Sequence, residues 1–274
     1  MAESARFGFG ENWKAYIASL DEDRILAAER SLEDILGKKA LAGRTFADIG
    51  CGSGLFSLAA LRLGAARVAA FDYDKNSVAA AMAVKARFAA GAENWTIERG
   101  SILDEEYAAC LGKFDCVYSW GVLHHTGAMW RAVDIASRMV KPGGIFFIAL
   151  YNDQGLISAF WKAVKIIYNR LPVPVRPVYA AVFFVRFWLI PSLKDLLHGR
   201  FFSTLRSYRG RRGMSAWHDV VDWVGGFPFE VASVKAVADF CAERGFSPVT
   251  VRSVRGHGCN EFVFKAGPPP LPQA

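Results

Sequence analysis

From about residue 44 onward, short apolar runs alternate with longer amphipathic segments along the chain. The runs typical of buried strands are RTFADIG, ARVAAFD, WTIERG, FDCVYSW and IFFIALY. The segments between them that have helical periodicity are LFSLAALRLG, KNSVAAAMAVKARFAAG and MWRAVDIASRMV, which end at glycine or at KPGG. Apolar strands that alternate with helices predict a mostly parallel sheet covered on both faces, the doubly wound α/β class.

The pattern changes after Tyr151, where strand signals stop for roughly eighty residues. The helix VASVKAVADFCAERG and the strands PVTVRSV and NEFVFKA follow. No helix fits between these last two strands, so we expect an antiparallel hairpin at the sheet edge, completing seven strands. Before the first strand, DEDRILAAERSLEDILG predicts an amphipathic helix capped by Asp21, with Ile25, Leu32, Ile35 and Leu36 on one side.

These elements predict five segments along the chain. Residues 1–43 form an N-terminal helical lid, and residues 44–151 form the main α/β core. Residues 152–228 form a helical insertion after the fifth strand, and residues 229–266 add the last helix and the edge hairpin. We expect the tail at 267–274, which contains GPPPLPQA from Gly267, to be disordered.

The insertion carries the basic character of the chain. Between Tyr151 and Gly213 there are eleven Lys or Arg, two Asp or Glu and twelve aromatic residues, whereas the rest of the chain has a net charge of −2. The segment GLISAFWKAVKIIYNRLP places Leu156, Phe160, Val164 and Ile167 on one helix face and Lys162, Lys165 and Asn169 elsewhere. Three interpretations stay open: a cap packed on the main domain, binding to an anionic membrane surface with a lipid-linked substrate, and nucleic-acid binding.

Composition indicates a cytoplasmic location that allows contact with the inner face of a membrane. The N-terminus has no charged start followed by an apolar core, which argues against a signal peptide. The longest apolar run has thirteen residues between Pro177 and Pro191 and includes Arg186, too short for a helical span. The five cysteines contain no CxxC pair, which fits a reducing compartment.

A glycine-rich loop, ADIGCGSG, lies where the first strand turns into the first helix of the core. Ligands bind beyond the carboxyl ends of strands in doubly wound sheets, so this is a favourable place for a cofactor. Leu55 stands where a dinucleotide fingerprint needs its third glycine, and the GK[ST] of a phosphate loop is absent. Asp48 precedes the loop and suits a cationic ligand, and Asp72 ends the second strand, where a carboxylate accepts ribose hydroxyls. Together they indicate S-adenosylmethionine.

The motifs DIGCGSG, FDYD, RGSILD, FDCVYSWGVLHHT and VKPGG, in this order, resemble those of class I S-adenosylmethionine-dependent methyltransferases, which have a Rossmann-like fold. By that resemblance Asp48 and the loop of Gly50, Cys51, Gly52 and Gly54 hold the methionine end of the cofactor. It further implies Asp72 at the ribose, Tyr73 and Ile102 against the adenine, Ser101 in place of a common aspartate, and Ser119 and Trp120 beside them. The N-terminal FGFGENW resembles an aromatic lid, with Phe9 and Trp13 either covering the cofactor or lying in the core.

The histidine pair in SWGVLHHTG follows the fourth strand, beside the expected methyl donor. The sequence also resembles ubiquinone-type O-methyltransferases, whose Glu-x-x-Glu-His metal arrangement lies in this loop. Gly121 and His124 stand at the carboxylate positions, so we expect no metal. Natural-product sugar O-methyltransferases have a similar LHH. We therefore expect His125, and His124 as second choice, to act as general base; substrate positioning and a structural turn are the alternatives.

Further polar candidates lie near the chain's C-terminal third. His218 and Asp222 share a helix face, either as a substrate-facing dyad or as an exposed ion pair, and His257 stands at the hairpin mouth. With Trp13 they form the expected substrate-contacting set. The sequence thus predicts methylation of a hydroxyl on a hydrophobic small-molecule, lipid-linked or saccharide acceptor. The alternatives are RNA methylation through the basic insertion and a membrane-associated cofactor-binding protein without turnover.

Overall fold

A seven-stranded sheet forms the centre of the protein in a computed structural model that describes residues 20–190, 216–254, 256 and 258–268. Its strand order is β3-β2-β1-β4-β5-β7-β6. The strands are β1 (Thr45–Ile49), β2 (Arg67–Asp72), β3 (Trp95–Arg99), β4 (Phe114–Trp120), β5 (Val140–Tyr151), β6 (Phe246–Arg252) and β7 (Cys259–Ala266). The predicted doubly wound, mostly parallel sheet is confirmed.

The helices of the described ranges cover both faces of this sheet and one end of it. They are α1 (Glu22–Leu36), α2 (Leu55–Arg62), α3 (Lys75–Phe88), α4 (Glu105–Leu111), α5 (Met129–Arg138), α6 (Leu156–Arg170), α7 (Arg176–Phe184), α8 (Ala216–Gly225) and α9 (Val234–Ala242). A wider helical turn at Val185–Leu189 continues α7. None of these helices is long and apolar enough to cross a membrane.

The last two strands form the predicted edge hairpin. β7 pairs antiparallel with β5 on one side and with β6 on the other, whereas β1 to β5 pair in parallel. Because β5 and β7 are joined directly in the sheet, Tyr151 at the end of β5 lies opposite Cys259 at the start of β7. The C-terminal hairpin thereby flanks the edge where the insertion leaves the core.

Helix α1 forms as its sequence predicts. The Asp21 side chain accepts a hydrogen bond from the Arg24 backbone N–H at 3.0 Å and caps the helix. Ile25, Leu32 and Ile35 are buried on the core-facing side, in the cluster that also contains Phe46 and other residues of the sheet. Burying this stripe against α2 and the sheet stabilises the helix far more than its local propensity does.

Two local features differ from the sequence pattern. The short helix α4 follows β3 and is capped by Asp104, whose carboxylate accepts from the Tyr107 N–H at 3.0 Å. Strand β5 begins at Val140 rather than after KPGG, because those residues bulge between the pairs Phe114–Val140 and Cys116–Ile145. The sequence pattern misses α4 because seven residues are too short to show helical periodicity. It places the start of β5 too late because the bulge lets the glycines of KPGG lie within the strand.

The insertion builds a small hydrophobic core of its own. Helices α6, α7 and α8 pack around Trp161, Val164, Tyr168, Val220 and Val224. Partly buried aromatic residues surround this cluster, among them Tyr151 of β5. The insertion is therefore packed on the main core through the end of β5.

Candidate active site

The glycine loop between β1 and α2 turns tightly at the carboxyl edge of the sheet. Gly50, Gly52 and Gly54 have φ values of 72°, 53° and 75°, which L side chains rarely adopt. The Gly50 N–H donates to the Phe71 carbonyl at 2.8 Å. A Cβ at Gly50 would lie 2.3 Å from Cγ1 of Val122. The loop therefore runs directly against the segment that follows β4, where the histidines are.

Asp48 lies buried on β1 just before this loop. The Ser57 hydroxyl donates to its carboxylate at 2.5 Å, and Tyr118 is its register partner on β4. Burial raises the pKa of Asp48 to about 7, and the nearby Asp72 charge adds to the increase. The buried Tyr118 hydroxyl has no hydrogen-bond partner in the described part of the chain. Because no basic side chain of the described ranges lies within hydrogen-bond reach of it, the buried Asp48 carboxylate fits a positively charged ligand group.

Asp72 ties the end of β2 to the glycine loop. Its carboxylate accepts the Gly52 N–H at 3.0 Å through one oxygen and the Asp74 N–H at 2.8 Å through the other. The role of helix cap belongs to Asp74, which accepts the Asn76 N–H at 2.8 Å and starts α3. Asp72 is therefore placed at the loop rather than at the helix, as a ribose-binding carboxylate requires.

The expected adenine-side residues lie around the end of β3. Tyr73 is partly exposed, with the Arg99 guanidinium 5.8 Å from its ring centroid. The Ser101 hydroxyl accepts the Leu103 N–H at 3.2 Å, and Ile102 is buried in the main core. Of these side chains, Tyr73 offers the exposed aromatic face.

Three other expected cofactor residues have definite structural contacts. The Ser119 hydroxyl donates to the Ile49 carbonyl at 3.0 Å and joins β4 to β1. Trp120 is exposed, and its indole N–H donates to Glu261 at 2.8 Å. Cys51 is buried within the loop, and burial raises the pKa of its thiol well above the usual value. Cys51 is therefore a neutral thiol in this loop.

The histidine loop forms a short 3₁₀ turn, Leu123–His125, directly after β4. Nδ1 of His125 lies 2.7 Å from the Pro228 carbonyl oxygen. Because a carbonyl only accepts, Nδ1 carries the proton, and in the neutral ring Nε2 then keeps its lone pair. This is the tautomer that a general base needs.

His124 is fully buried, and its ring packs against that of His125, with the two centroids 4.4 Å apart. Its Nδ1 accepts the Tyr151 N–H at 3.4 Å, and its ring centroid lies 3.9 Å from that of Tyr151. Burial holds the pKa of His124 well below its usual value, and the charges of His125 and Lys165 lower it further. Nε2 has no hydrogen-bond partner among the described residues. His124 is therefore a neutral, buried ring that packs against Tyr151.

The sequence patterns do not reveal a segment, residues 227–232, that crosses the histidine loop; we call it the strap. Besides Pro228, it contributes Glu230, whose N–H donates to the His124 carbonyl at 3.1 Å. The Glu230 carboxylate accepts the Met129 N–H at 3.0 Å at the start of α5. The Ala232 N–H donates to the Tyr151 carbonyl at 3.0 Å. The strap thus holds the histidine loop and the end of β5 together.

Lys165 of α6 is a residue that the sequence pattern placed wrongly. Periodicity placed it on the polar side of the helix, but it is fully buried. Its ammonium donates to the Trp223 carbonyl and lies 4.6 Å from the Trp223 ring centroid and 4.8 Å from that of Phe229. Burial lowers the pKa of Lys165 to about 7, while the charge of Asp222 opposes this. One feature of the sequence could have revealed this burial: by helical spacing, Lys165 lies on the same side of the helix as Trp161, Val164 and Tyr168.

The substrate-contacting set is only partly placed. Asp222 lies half-buried on α8 and acts electrostatically on Lys165. His218 belongs to α8, but its side chain lies outside the described part, as do Trp13, Phe9 and His257 altogether. Over the described ranges, no three His, Cys, Asp or Glu side chains gather as metal ligands would. Asp222 is thus the one member of this set with a described side chain.

Residues 47–148 match the sequence profile of a family described as a methyltransferase domain. These residues form a methyltransferase domain. The match begins within β1 and reaches into β5, so it includes Asp48, the glycine loop, Asp72 and both histidines. The prediction of this superfamily from the motifs is confirmed.

Curated relatives are similar to this chain over slightly less than half of its length. The ubiquinone biosynthesis O-methyltransferase of Rhizobium etli is 31% identical over 126 residues, which are 46% of this chain and 48% of the relative. The enzyme of the same name from a Methylobacterium species is 38% identical over 121 residues, 43% of this chain and 45% of the relative. The chain thus spans about half the length of the curated relatives it matches.

Solved structures extend the fold comparison beyond the methyltransferase domain. The magnesium protoporphyrin IX methyltransferase of Synechocystis, solved with bound S-adenosylhomocysteine, aligns with a TM-score of 0.54 at 14% identity over 89% of this chain and 83% of that one. An O-methyltransferase family protein of Burkholderia thailandensis aligns with a TM-score of 0.55 at 14% identity over 90% and 56%. These likenesses show the fold. Lys165 and the strap lie outside the matched domain, within this chain's own insertion and its junction.

Proposed function

We propose that this protein transfers a methyl group from S-adenosylmethionine to a hydroxyl of a hydrophobic acceptor, with His125 as general base. The observation that carries the proposal is the 2.7 Å contact between Nδ1 of His125 and the Pro228 carbonyl, which leaves Nε2 as the basic nitrogen. Because Val122 packs against Gly50, this base stands three residues from the contact with the glycine loop. Base and methyl donor would then meet at one edge of the sheet.

The residues around the glycine loop fit S-adenosylmethionine. Asp48 is buried without a basic side chain in hydrogen-bond reach in the described ranges, so a cationic ligand would be its counter-charge. Asp72 would hold the ribose, and Tyr73 presents an exposed ring for the adenine. When bound, this cofactor supplies an electrophilic methyl group on a sulfonium centre.

The protein's own residues would then align the acceptor and hold one proton. Nε2 of His125 would accept the proton of the acceptor hydroxyl, and so make its oxygen nucleophilic towards the methyl group that the bound cofactor would supply. The strap keeps the ring in place, because Pro228 fixes Nδ1 and Glu230 fixes the backbone of His124. His124 packs against the ring of His125 and, being fully buried, would not reach the acceptor.

The lining beside the histidines indicates a largely apolar acceptor. A small cleft at the junction of core and insertion is lined by Tyr151, Trp161, Trp223 and Phe229, together with the polar Asn152, Gln154 and Ser158. It has room for about one water molecule, so these side chains would have to move apart to admit an acceptor. Rings of this kind suit an aromatic or lipid-linked acceptor, and the few polar groups suit orientation of its hydroxyls. Relatives named ubiquinone biosynthesis O-methyltransferase support transfer to oxygen.

The test combines cofactor binding with turnover. Calorimetry should show S-adenosylhomocysteine binding by the wild type and by His125→Ala alike. With catechols that carry alkyl tails as acceptors, His125→Ala should form S-adenosylhomocysteine at least about a hundredfold more slowly, as loss of a general base predicts. Cys110→Ala, an exposed position on α4, is the matched control and should keep full turnover.

Three outcomes would contradict the proposal. If the wild type did not bind S-adenosylhomocysteine, the cofactor assignment would be wrong. If His125→Ala kept full turnover with saturating acceptor, the assignment of His125 as general base would be wrong. Labelled methyl groups that appear in RNA rather than in phenols or methyl glycosides would assign the basic insertion to nucleic acid.

A further inference from the structure

Exposed apolar side chains are concentrated on the insertion. Of the sixteen large exposed hydrophobic residues in the described part of the chain, ten lie between Leu156 and Ile190. They are Leu156, Ile157, Phe160, Ile167, Val173, Val175, Val178, Val182, Val185 and Ile190. Contiguous exposed apolar surface of this kind marks an interaction site. We call these ten residues the insertion face.

Helix α6 is apolar on two sides that serve different purposes. Trp161, Val164 and Tyr168 are buried in the core of the insertion. On the other side Leu156, Phe160 and Ile167 are 89%, 56% and 48% exposed, and their spacing places them in one stripe. The sequence pattern grouped Leu156, Phe160 and Ile167 with Val164, but only Val164 points into the protein.

The stripe continues beyond α6. Val173 and Val175 lie in the short turn that follows, and both are exposed. Val178, Val182 and Val185 recur at helical spacing along α7 and its continuation, again exposed. The apolar surface therefore includes parts of two helices and of the turn between them, rather than one helix end.

Charge restricts the partner that this surface can take. From Leu156 to Ile190 there are five Lys or Arg and no Asp or Glu. Lys162, Arg170 and Arg186 are exposed around the apolar stripe. A second copy of the chain docked face to face would place these cations opposite one another, which is unfavourable. Single-stranded RNA would need exposed rings for base stacking, but nine of the ten residues of the insertion face are aliphatic.

We propose that the insertion face docks onto an anionic lipid bilayer, with α6 and α7 lying in the membrane–water interface. The aliphatic side chains would enter the acyl boundary, and Lys162, Arg170 and Arg186 would contact acidic headgroups. This inference is independent of the proposed methyl transfer, because it rests on exposure and charge of the insertion alone.

Vesicle sedimentation with the full-length protein tests the inference. The protein should bind vesicles of phosphatidylcholine mixed with phosphatidylglycerol at least about tenfold more tightly than phosphatidylcholine alone. Phe160→Ser combined with Ile167→Ser should weaken binding to the mixed vesicles by about tenfold or more. Lys162→Glu combined with Arg170→Glu should abolish the preference for the anionic lipid. Met82→Ser, at a 52% exposed position on α3, is the matched control and should bind like the wild type.

Circular dichroism and S-adenosylhomocysteine binding establish that each variant is folded, and neither readout needs vesicles. Failure of the wild type to bind the mixed vesicles would overturn the inference, as would unchanged binding by the Phe160→Ser and Ile167→Ser variant. If light scattering showed a dimer of the wild type and a monomer of this variant, the face would be assigned to contact with a second copy. RNA retention lost through the same two substitutions would assign it to nucleic acid.

Discussion

At the scale of single residues, Asp48 connects the fold to the cofactor. Its carboxylate is buried, bonded to Ser57 and close to Asp72, and these surroundings raise its pKa to about 7. Without a ligand it is therefore about half protonated near neutral pH. A cationic ligand favours the ionised form, so binding and proton release are coupled.

This coupling predicts pH-dependent cofactor affinity. Below pH 7, S-adenosylmethionine should bind up to about tenfold more weakly for each pH unit, because the carboxyl must first lose its proton. Above pH 8 the affinity should level off. Calorimetry in two buffers of different ionisation enthalpy would measure the released proton. Asp48→Asn is the control: its affinity should be low and should lose this dependence. An affinity of the wild type that stays constant from pH 5.5 to pH 8, values chosen to bracket the pKa of about 7, would contradict the prediction.

At the residue level, the sequence located positions where a motif fixes the backbone, and the roles of these residues towards a cofactor stay predictions. The glycine spacing and the acids at both strand ends directed attention to Asp48 and Asp72, and the structure brings both to the loop. It could not assign the roles of the two histidines, because their difference arises from Pro228 and Tyr151, which are distant in sequence. Contacts of this kind depend on the path of the strap, and no local pattern encodes that path.

At the scale of elements, the strap and α5 meet at a shared helix cap. Met129 begins α5 without a side-chain cap of its own from Ala128, and the Glu230 carboxylate takes that place. A non-local cap of this kind stabilises the helix start and also fixes the histidine loop that precedes it.

The cap predicts a separable effect of Glu230 on turnover. Glu230→Ala should lower the free energy of unfolding by about 1 kcal/mol and reduce kcat, because the loop that carries His125 loses its anchor. S-adenosylhomocysteine binding should stay unchanged. Glu230→Gln keeps an acceptor oxygen for the Met129 N–H and should restore most of both properties. Thermal unfolding and steady-state kinetics measure the two effects; equal turnover in all three proteins would contradict the link to His125.

Helices α6 and α8 are joined by polar groups inside an apolar cluster. Lys165 donates to the Trp223 carbonyl, and the Asn169 amide donates to the Gly225 carbonyl at 2.8 Å. Both bonds satisfy carbonyls at the C-terminal end of α8, where a cation is also favoured by the helix dipole. The ammonium is nevertheless costly to bury, which explains its lowered pKa.

Lys165 therefore predicts a pH dependence of stability. Its pKa of about 7 in the folded protein lies below the ordinary 10.5, so the unfolded chain binds more protons between these values. Stability of the wild type should then rise, relative to Lys165→Met, as pH increases from 7 towards 10, by on the order of 3 kcal/mol. Urea unfolding at several pH values measures the difference. A difference that stays constant over this range would contradict the burial of a titrating amine; Lys162→Met, at an exposed position, is the control.

The strands and long helices were predictable because their burial repeats regularly along the chain. Apolar runs such as those of β1 and β4 identified the sheet, and the stripe of Ile25, Leu32 and Ile35 identified α1. The orientation of α6 was not predictable, because both of its sides are apolar and periodicity alone does not distinguish a core from an interface. Only packing against α7 and α8 decides which side is inside.

At the scale of the whole molecule, the small cleft lined by Trp161 and the insertion face lie on adjacent sides of helix α6. Trp161 lines the cleft, and its neighbour Phe160 stands on the exposed stripe with its ring centroid 5.4 Å from that of Trp161. The matched domain ends before either residue. In this arrangement the insertion, and not the methyltransferase domain, would decide whether the acceptor is taken from a membrane or from water.

This arrangement predicts that the phase of the acceptor decides how strongly the insertion face matters. The KM of the Phe160→Ser and Ile167→Ser variant for a long-tailed phenol in anionic vesicles should be about tenfold higher than that of the wild type. The reason is that less of the variant protein is bound at the vesicle surface that holds the substrate. For a short-tailed, water-soluble catechol its kcat/KM should match the wild type, since His125 and the strap are untouched. Raising the ionic strength should reproduce the vesicle-specific loss in the wild type by screening Lys162 and Arg170. An equal loss on both acceptors would instead show that the substitutions disturb the cleft through Trp161, and the two faces of α6 would not be functionally separate.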